Sequence, residues 1–233
     1  MPDRDDNARR ALWRDVSLPL SAALPGIPGD PPFRRELFLS QDADGCEAAS
    51  WNLSAHAGTH LDFPAHFLPG GRRVGDYPAA AFFLPARVVD AGDALALGPE
   101  LLDADDASDA APGEAVLFRT VNSATRAFLG PAFPESFAAL TPALAARCAR
   151  QGLALVGIDA LSVEPLDAPA FPVHHILLEA GVLILEGLFL ADVAPGRYLL
   201  SCPPLRVPEA EASPVRAVLG PADLLRVRPR RPA

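Results

Sequence analysis

All five histidines of this 233-residue chain fall in two short clusters, the run His56-Ala57-Gly58-Thr59-His60-Leu61-Asp62-Phe63-Pro64-Ala65-His66 and the pair His174-His175. Within the run, every residue able to do chemistry sits at an even position. Side chains alternate faces in an extended segment, so His56, His60, Asp62 and His66 share one side while Ala57, Leu61, Phe63 and Phe67 take the other. The chain must therefore place a polar, chemistry-bearing face directly on the back of a core face. A straight strand would set His56 and Asp62 about 20 Å apart at roughly 3.3 Å per residue, whereas ligands of one metal ion each approach it to about 2.0–2.2 Å. The backbone has to bend, and Gly58 and Pro64 punctuate the run where curvature is needed. The i, i+4 spacing of His56 and His60 also fits a helix face, but Gly58, Thr59 and Pro64 are poor helix formers. We expect a strand ending in a bent loop.

A lone histidine is more often a packing or surface residue than a ligand. Three with an aspartate in eleven residues are different, because neutral imidazole nitrogen and carboxylate oxygen together suit Zn, Mn, Fe, Co or Ni. Glu186 lies in the apolar run Val182-Leu183-Ile184-Leu185-Glu186-Gly187-Leu188-Phe189-Leu190, where a carboxylate is costly unless it is paired, reaches solvent or holds a metal.

Alternating short strands and helices make the chain α/β. Strands are expected at Glu36–Ser40, Ala49–His60, Ala86–Asp90, Glu114–Thr120, Leu153–Asp159, Val182–Leu190, Arg197–Cys202 and Val215–Leu219. A helix is expected over Thr141 to Gln151: Thr141 can cap it, Pro142 suits its first position, Leu144, Ala145 and Cys148 share a face, and Gly152 can end it. A second helix from about Val173 to Ala180, stopped at Gly181, would carry His174 in its first turn. Asp103 to Pro112 reads as an exposed loop and residues 228–233 as a frayed tail.

Composition narrows the function. The length suits one domain. A net charge of −9 and a pI near 5.0 argue against nucleic acid or an anionic membrane surface as partner. The absence of lysine removes Schiff-base, pyridoxal-phosphate and Walker-lysine chemistry together. Cys46, Cys148 and Cys202 are odd in number and widely spaced, as expected in a reducing compartment. The charged segment Met1 to Asp15 lacks the apolar stretch of a signal peptide, and Glu179 and Glu186 interrupt the apolar runs before membrane-span length. A soluble cytoplasmic protein is the expectation. No G-x-S-x-G elbow supports a serine nucleophile.

The run H-x-G-T-H-x-D-x-P-x-H resembles the signature of the cyclase family of metal-dependent hydrolases, which includes bacterial kynurenine formamidase and isatin hydrolase. Pro28-Gly29-Asp30, Gly157-Ile158-Asp159 with Ser162, His174-His175, Ile184-Leu185-Glu186-Gly187 and Ser213-Pro214-Val215-Arg216-Ala217 are similar too, and in the same order. The resemblance implies that His56, His60 and Asp62 bind one divalent ion, Zn or Mn, that Asp62 bridges to a second held by His174 and Glu186, and that His66 donates and accepts protons. It implies a single domain over residues 14–227 behind an extension of residues 1–13, a swivelling β/β/α-type fold with a mixed, barrel-like β core, and a homodimer. His66 could instead be a further ligand, and His175 could support His174 or fill space.

One or two divalent ions in such a site can activate water, polarise a carbonyl and steady an oxyanion, which suits hydrolysis of a small amide. Aryl formamides and lactams are the expected substrates. Phe63 and Phe67 could line an apolar pocket, as could Trp51, Tyr77, Phe82 and Phe83. Ile27 stands where kynurenine formamidase carries a tryptophan that contacts its substrate. The alternative is a metal-stabilised domain that binds a small ligand or a protein without turnover, although structural zinc sites are usually closed and cysteine-rich.

Overall fold

The computed structural model describes residues 13–103, 110–130 and 132–225. The expected tail, the expected N-terminal extension apart from Trp13, and residues 104–109 of the expected loop lie outside them. Ala110, at the far end of that loop, is buried rather than exposed.

The strands are β1 (Arg14–Asp15), β2 (Arg34–Leu39), β3 (Ala48–Asn52), β4 (His60–Asp62), β5 (Phe83–Asp90), β6 (Ala96–Leu97), β7 (Ala115–Arg119), β8 (Ala139–Leu140), β9 (Leu155–Ile158), β10 (Leu183–Glu186), β11 (Gly196–Ser201), β12 (Ala212–Pro214) and β13 (Val218–Pro221). The helices are α1 (Gln41–Asp44), α2 (Val121–Thr125), α3 (Pro142–Gln151) and α4 (Pro172–Glu179), with short 3₁₀ turns between elements. Nine strands form one mixed sheet in the order β1-β13-β11-β5-β7-β9-β10-β4-β12. Its centre, β5-β7-β9-β10, is parallel, and antiparallel strands continue it on both sides. The sheet curls. Ser17, just beyond β1, forms an antiparallel bridge with Leu188, just beyond β10, and Phe189 N donates to Val16 O at 2.8 Å.

Two apolar clusters follow from the strand alternation. Leu61, Phe63, Ala86, Val88, Leu117, Leu155, Leu185 and Leu200 belong to one, and Val156, Ile158 and Ile184 project from the opposite face into the other, with Leu144, Ala145 and Cys148 of α3 and Val173 and Leu177 of α4. Helix α3 is bounded as the sequence indicates: Thr141 Oγ1 accepts from Leu144 N, Pro142 opens it, and Gly152 closes it at φ 70°. Helix α4 has His174 in its first turn and is followed by Gly181 at φ 77°.

Several expected strands are broken where the backbone must turn. The expected strand Ala49–His60 divides into β3, which pairs only with β2, and β4, which joins the main sheet; Gly58 at φ 63° lies in the bend between them. The expected strand Val182–Leu190 stops at Glu186 because Gly187 turns away at φ 68°. At the end expected as Val215–Leu219, Pro214 closes the edge strand β12 and the ladder resumes at Val218, as suits a residue with no N–H to donate. Helix α2 was not anticipated, since its residues are weak helix formers; Thr120 caps it through Asn122 N. No described helix is long and apolar enough to cross a membrane.

Gly187 fits only as glycine. A Cβ there would be driven into the Gly58 carbonyl, and its positive φ disfavours any L side chain. Gly187→Ala is expected to cost about 2–4 kcal/mol from strain and overpacking, lowering Tm by roughly 4–16 °C in a chain of this size. Thermal melts by circular dichroism check this, and a shift under 2 °C would mean the contact relaxes freely.

Candidate metal centre

The antiparallel register of β4 and β10 builds the centre. His60 pairs directly with Glu186, and Asp62 with Ile184, so His60, Asp62 and Glu186 emerge on one face while Leu61 and Leu185 point to the opposite one. All three polar residues are buried. His60 Nδ1–H donates to Gly58 O at 2.9 Å, which leaves Nε2 directed inward, 3.2 Å from Glu186 Oε2 and 3.5 Å from Asp62 Oδ1. His56 reaches the cluster from the turn before β4, with Nδ1 2.9 Å from Asp62 Oδ1. His174 enters from α4, its Nε2 3.4 Å from Glu186 Oε1 and 3.8 Å from Asp62 Oδ2.

These contacts are close but poorly aligned. His60 Nε2 and both Asp62 oxygens have no hydrogen-bond partner although they are fully buried. His56 Nδ1 therefore lies close to Asp62 Oδ1 without the alignment of a directed hydrogen bond. Buried polar atoms are normally satisfied, and nitrogen and carboxylate oxygen atoms that converge without aligned hydrogen bonds are a donor set that a cation can take. Two overlapping sets have donor atoms within 4.8 Å of one another, His56–Asp62–His66 and His60–Asp62–Glu186. The residues therefore fit a divalent ion, and Asp62 belongs to both sets.

Electrostatics separate the imidazoles. Burial opposes charge on His60, but Glu186 and Asp62 outweigh it and raise His60 to about 9. At His174 burial is likewise overcome, by Glu164, Glu186 and Asp62, with a rise to about 10. Burial would push Asp62 up, yet His56, His60 and His66 hold it well below the usual carboxylate range. Glu186 is lowered too, as His174 and His60 overcome burial and the nearby Asp62 charge. His66 moves the other way. Burial lowers it, helped by His56 and His174 and opposed by Asp62, so it is neutral at pH 7.

His66 sits in the 3₁₀ turn Pro64–His66 rather than on a strand, with its ring centroid 4.2 Å from that of His56. It lines a cavity of about 210 Å³ together with Ile27, Phe67, Phe171, His60 and His174. That volume is below the usual range for drug-sized ligand pockets, about 300–1,000 Å³. Phe67 follows the 3₁₀ turn and stacks on His174 at 4.6 Å between centroids; it is on the site side, not on the core face that simple alternation assigns it. Ile27 lines the cavity beside the Pro28-Gly29-Asp30 turn, in which Asp30 N donates to Ile27 O at 3.0 Å.

Phe63 is a correction. It is fully buried away from the cavity, edge-on to Tyr77 at 5.2 Å and to Phe82 at 6.1 Å, because it shares the inward parity of Leu61. It cannot contact a substrate. Of the other aromatic candidates, Phe82 is core and Trp51 and Phe83 are exposed. His175 is turned from the centre toward Glu179, 3.6 Å away. Sequence reasoning missed Glu164, a buried carboxylate whose Oε1 accepts from His174 Nδ1 at 2.6 Å, and Phe171, held in the left-handed region at φ 46° before α4. Neither carries a local signal. Glu164 is ten residues from its partner, and a left-handed phenylalanine breaks the usual preference for glycine.

A curled mixed sheet carrying a buried His/Asp/Glu cluster at a small cavity defines a single-domain α/β scaffold with a candidate metal centre. Residues 14–165 match the family described as "Putative cyclase". The kynurenine formamidase of Salinibacter ruber is 38% identical over 208 residues, covering 88% of this chain and 95% of that one. Among solved structures, a "Potential Metal-Dependent Hydrolase With Cyclase Activity" superposes with a TM-score of 0.74 at 28% identity over 89% of this chain and 96% of its own. Isatin hydrolase A from Labrenzia aggregata shares the fold, with a TM-score of 0.78 at 22% identity over 94% and 97% of the two chains. The chain belongs to the cyclase family.

An ion binds neutral imidazole, whereas His60 and His174 are protonated at pH 7 in the metal-free protein because they are raised to about 9 and about 10. Ion uptake at neutral pH is expected to release two protons. The apparent association constant should then climb by about 100-fold per pH unit from pH 7 to 9 and level off above about pH 10. Competition against a chromogenic chelator of known pH dependence measures the slope; a flat profile would mean that neither imidazole loses a proton when the ion binds.

Proposed function

We propose that this chain is a metal-dependent amidohydrolase that cleaves a non-peptide C–N bond in a small amide, an aryl formamide or a lactam. The observation that carries the reading is the convergence of unsatisfied, fully buried donor atoms, His60 Nε2 and both Asp62 oxygens, behind a cavity that His60, Glu186 and a neutral His66 line. The kynurenine formamidase relative and the isatin hydrolase fold support the substrate class.

His56, His60, Asp62, His174 and Glu186 would hold the metal. Their nitrogen and oxygen donors suit Zn or Mn, one or two ions per subunit. A bound divalent ion lowers the pKa of water toward about 7 and polarises a carbonyl. His66 then does the proton work. Neutral at pH 7, it accepts a proton from the attacking water as oxygen bonds to the carbonyl carbon, and returns it to the leaving nitrogen as the C–N bond breaks. Ile27, Phe67 and Phe171 form the apolar wall against which the remainder of the substrate packs.

Exposed apolar side chains on the β2–β3 hairpin, Leu37, Phe38 and Trp51, support a homodimer in which a second copy covers them, since a two-stranded hairpin is marginal alone in water. The three free cysteines support a reducing compartment such as the cytoplasm.

The deciding experiment is metal analysis followed by turnover of formyl anilides, isatin and small lactams, before and after chelation. Hydrolysis that vanishes with the metal and returns with Zn or Mn is expected. Tightly held metal with no turnover of any amide would favour a structural site in a binding domain. In the same assay His66→Asn should retain its metal while kcat falls by roughly 10²–10⁴; loss of the metal would make His66 a ligand.

The cavity wall generates a specificity prediction. Ser54 Oγ donates to Asp30 Oδ2 at 2.6 Å and so anchors the turn that presents Ile27. Ile27→Trp should favour aryl formamides over aliphatic amides by about tenfold in relative kcat/KM, equivalent to about 1.4 kcal/mol of added stacking. An unchanged ratio in a folded variant would reduce Ile27 to packing.

A further inference from the structure

Glu164 is almost completely buried, at 1% exposure, and no part of the hydrolytic scheme above uses it. Its carboxylate accepts three hydrogen bonds. Oε2 takes the Val173 N–H at 3.0 Å. Oε1 takes both the His174 N–H at 3.0 Å and the His174 Nδ1–H at 2.6 Å. Two donors from a single residue on one oxygen fix that residue's backbone and ring together, leaving the imidazole little freedom to rotate. With Nδ1 protonated and engaged, Nε2 is the nitrogen left to give up its proton to an ion, and it faces Glu186 and Asp62.

The neighbouring residues serve the same end. Val163 N donates to Glu186 Oε1 at 2.7 Å, and Ser162 Oγ donates to Glu164 O at 2.6 Å. Three consecutive residues thus orient both Glu186 and His174. His60 is pinned in the same sense through Nδ1, but by the neutral Gly58 carbonyl. A carboxylate partner makes an imidazole a stronger donor than a carbonyl partner does, and such outer partners commonly contribute 10–100-fold to metal affinity.

We propose that Glu164 is the positioning residue of the metal centre, fixing the tautomer and rotation of His174 so that Nε2 is presented to the ion. This rests on the reading of the cluster as a metal centre. The competing role is a helix cap only: α4 has no side-chain cap from Phe171 at its own N-terminus, and Glu164 supplies one from a distance. A cap alone would contribute to stability without touching affinity for the ion.

Glu164→Gln separates the two. One amide oxygen can serve either the His174 donors or Val173 N–H, and the other terminus becomes a donor facing a donor. Zn affinity, measured by competition with a chromogenic chelator for wild type and variant side by side, is expected to fall 10–100-fold, with a changed absorption spectrum in the Co(II)-substituted protein. Equal affinity and an unchanged Co(II) spectrum, with Tm falling alike in metal-free and loaded protein, overturn the proposal and leave a cap. Wild-type protein that takes up no ion overturns the metal centre itself, a distinct result. Long-range ¹H–¹⁵N histidine correlations of Zn-loaded wild type test the same point without a variant: His174 protonated at Nδ1 alone supports it, and protonation at Nε2 overturns it.

Discussion

Two carboxylates, Asp62 and Glu186, are removed from water on a rigid antiparallel ladder, and most of the surrounding structure is organised by that burden. A buried charge is tolerated only when paired and geometrically well supported. In the metal-free state the compensation comes from His60 and His174, both raised far enough to stay protonated at neutral pH. A divalent ion would bring the same two positive charges while releasing those protons. The cluster is therefore near charge balance in either condition, and proton release and ion uptake become two sides of one exchange. Register enforces this. Slipping β4 by one residue against β10 would turn His60 and Asp62 toward the Leu61 face and bury two ionisable groups against hydrocarbon.

The same few residues also close the fold. Thr59 Oγ1 accepts from Leu18 N at 2.8 Å and donates to the Gly187 carbonyl, so the residue before His60 ties the first segment of the chain to the end of β10. The Ser17–Leu188 bridge lies two residues beyond Glu186. Gly58 supplies both the carbonyl that sets the His60 tautomer and the backbone against which Gly187 packs. Curling the sheet and aiming the ligands are consequently not independent. A change at Gly58 or Gly187 alters both, which explains why small residues stand at these two points beside the most strongly charged part of the interior.

How much of this was readable in the sequence depends on the range of the interaction involved. The parity of His60, Leu61 and Asp62 is a local property of an extended backbone, and it predicted the correct face. Helix α3 was legible to its ends because Thr141, Pro142 and Gly152 act on their immediate neighbours. Parity failed as soon as the chain left the strand. His56 and His66 reach the cluster from turns, Phe67 swings to the site side after Pro64, and Phe63 keeps the core parity that rules it out as a substrate contact. Glu164 was invisible for a different reason. Its value depends on three donors delivered by a helix that begins eight residues later, and nothing in the composition of Leu161-Ser162-Val163-Glu164 anticipates that meeting.

The division between ladder and loop bears on what can vary. The donors that would face a metal come from β4, β10, the first turn of α4 and the turn bearing His56, each locked by main-chain hydrogen bonds or by a buried partner. The apolar side of the cavity is built otherwise. Ile27 rides on a surface turn, Phe171 occupies a strained left-handed position, and Leu166 sits in a loop. Loops can be exchanged without disturbing a core, which is why specificity so often resides in them. Here the exchange is cheap because Phe63, which might have tied substrate shape to core packing, faces the other way. A scaffold of this kind can retain one charged face while the apolar wall of its cavity adjusts to a different substrate.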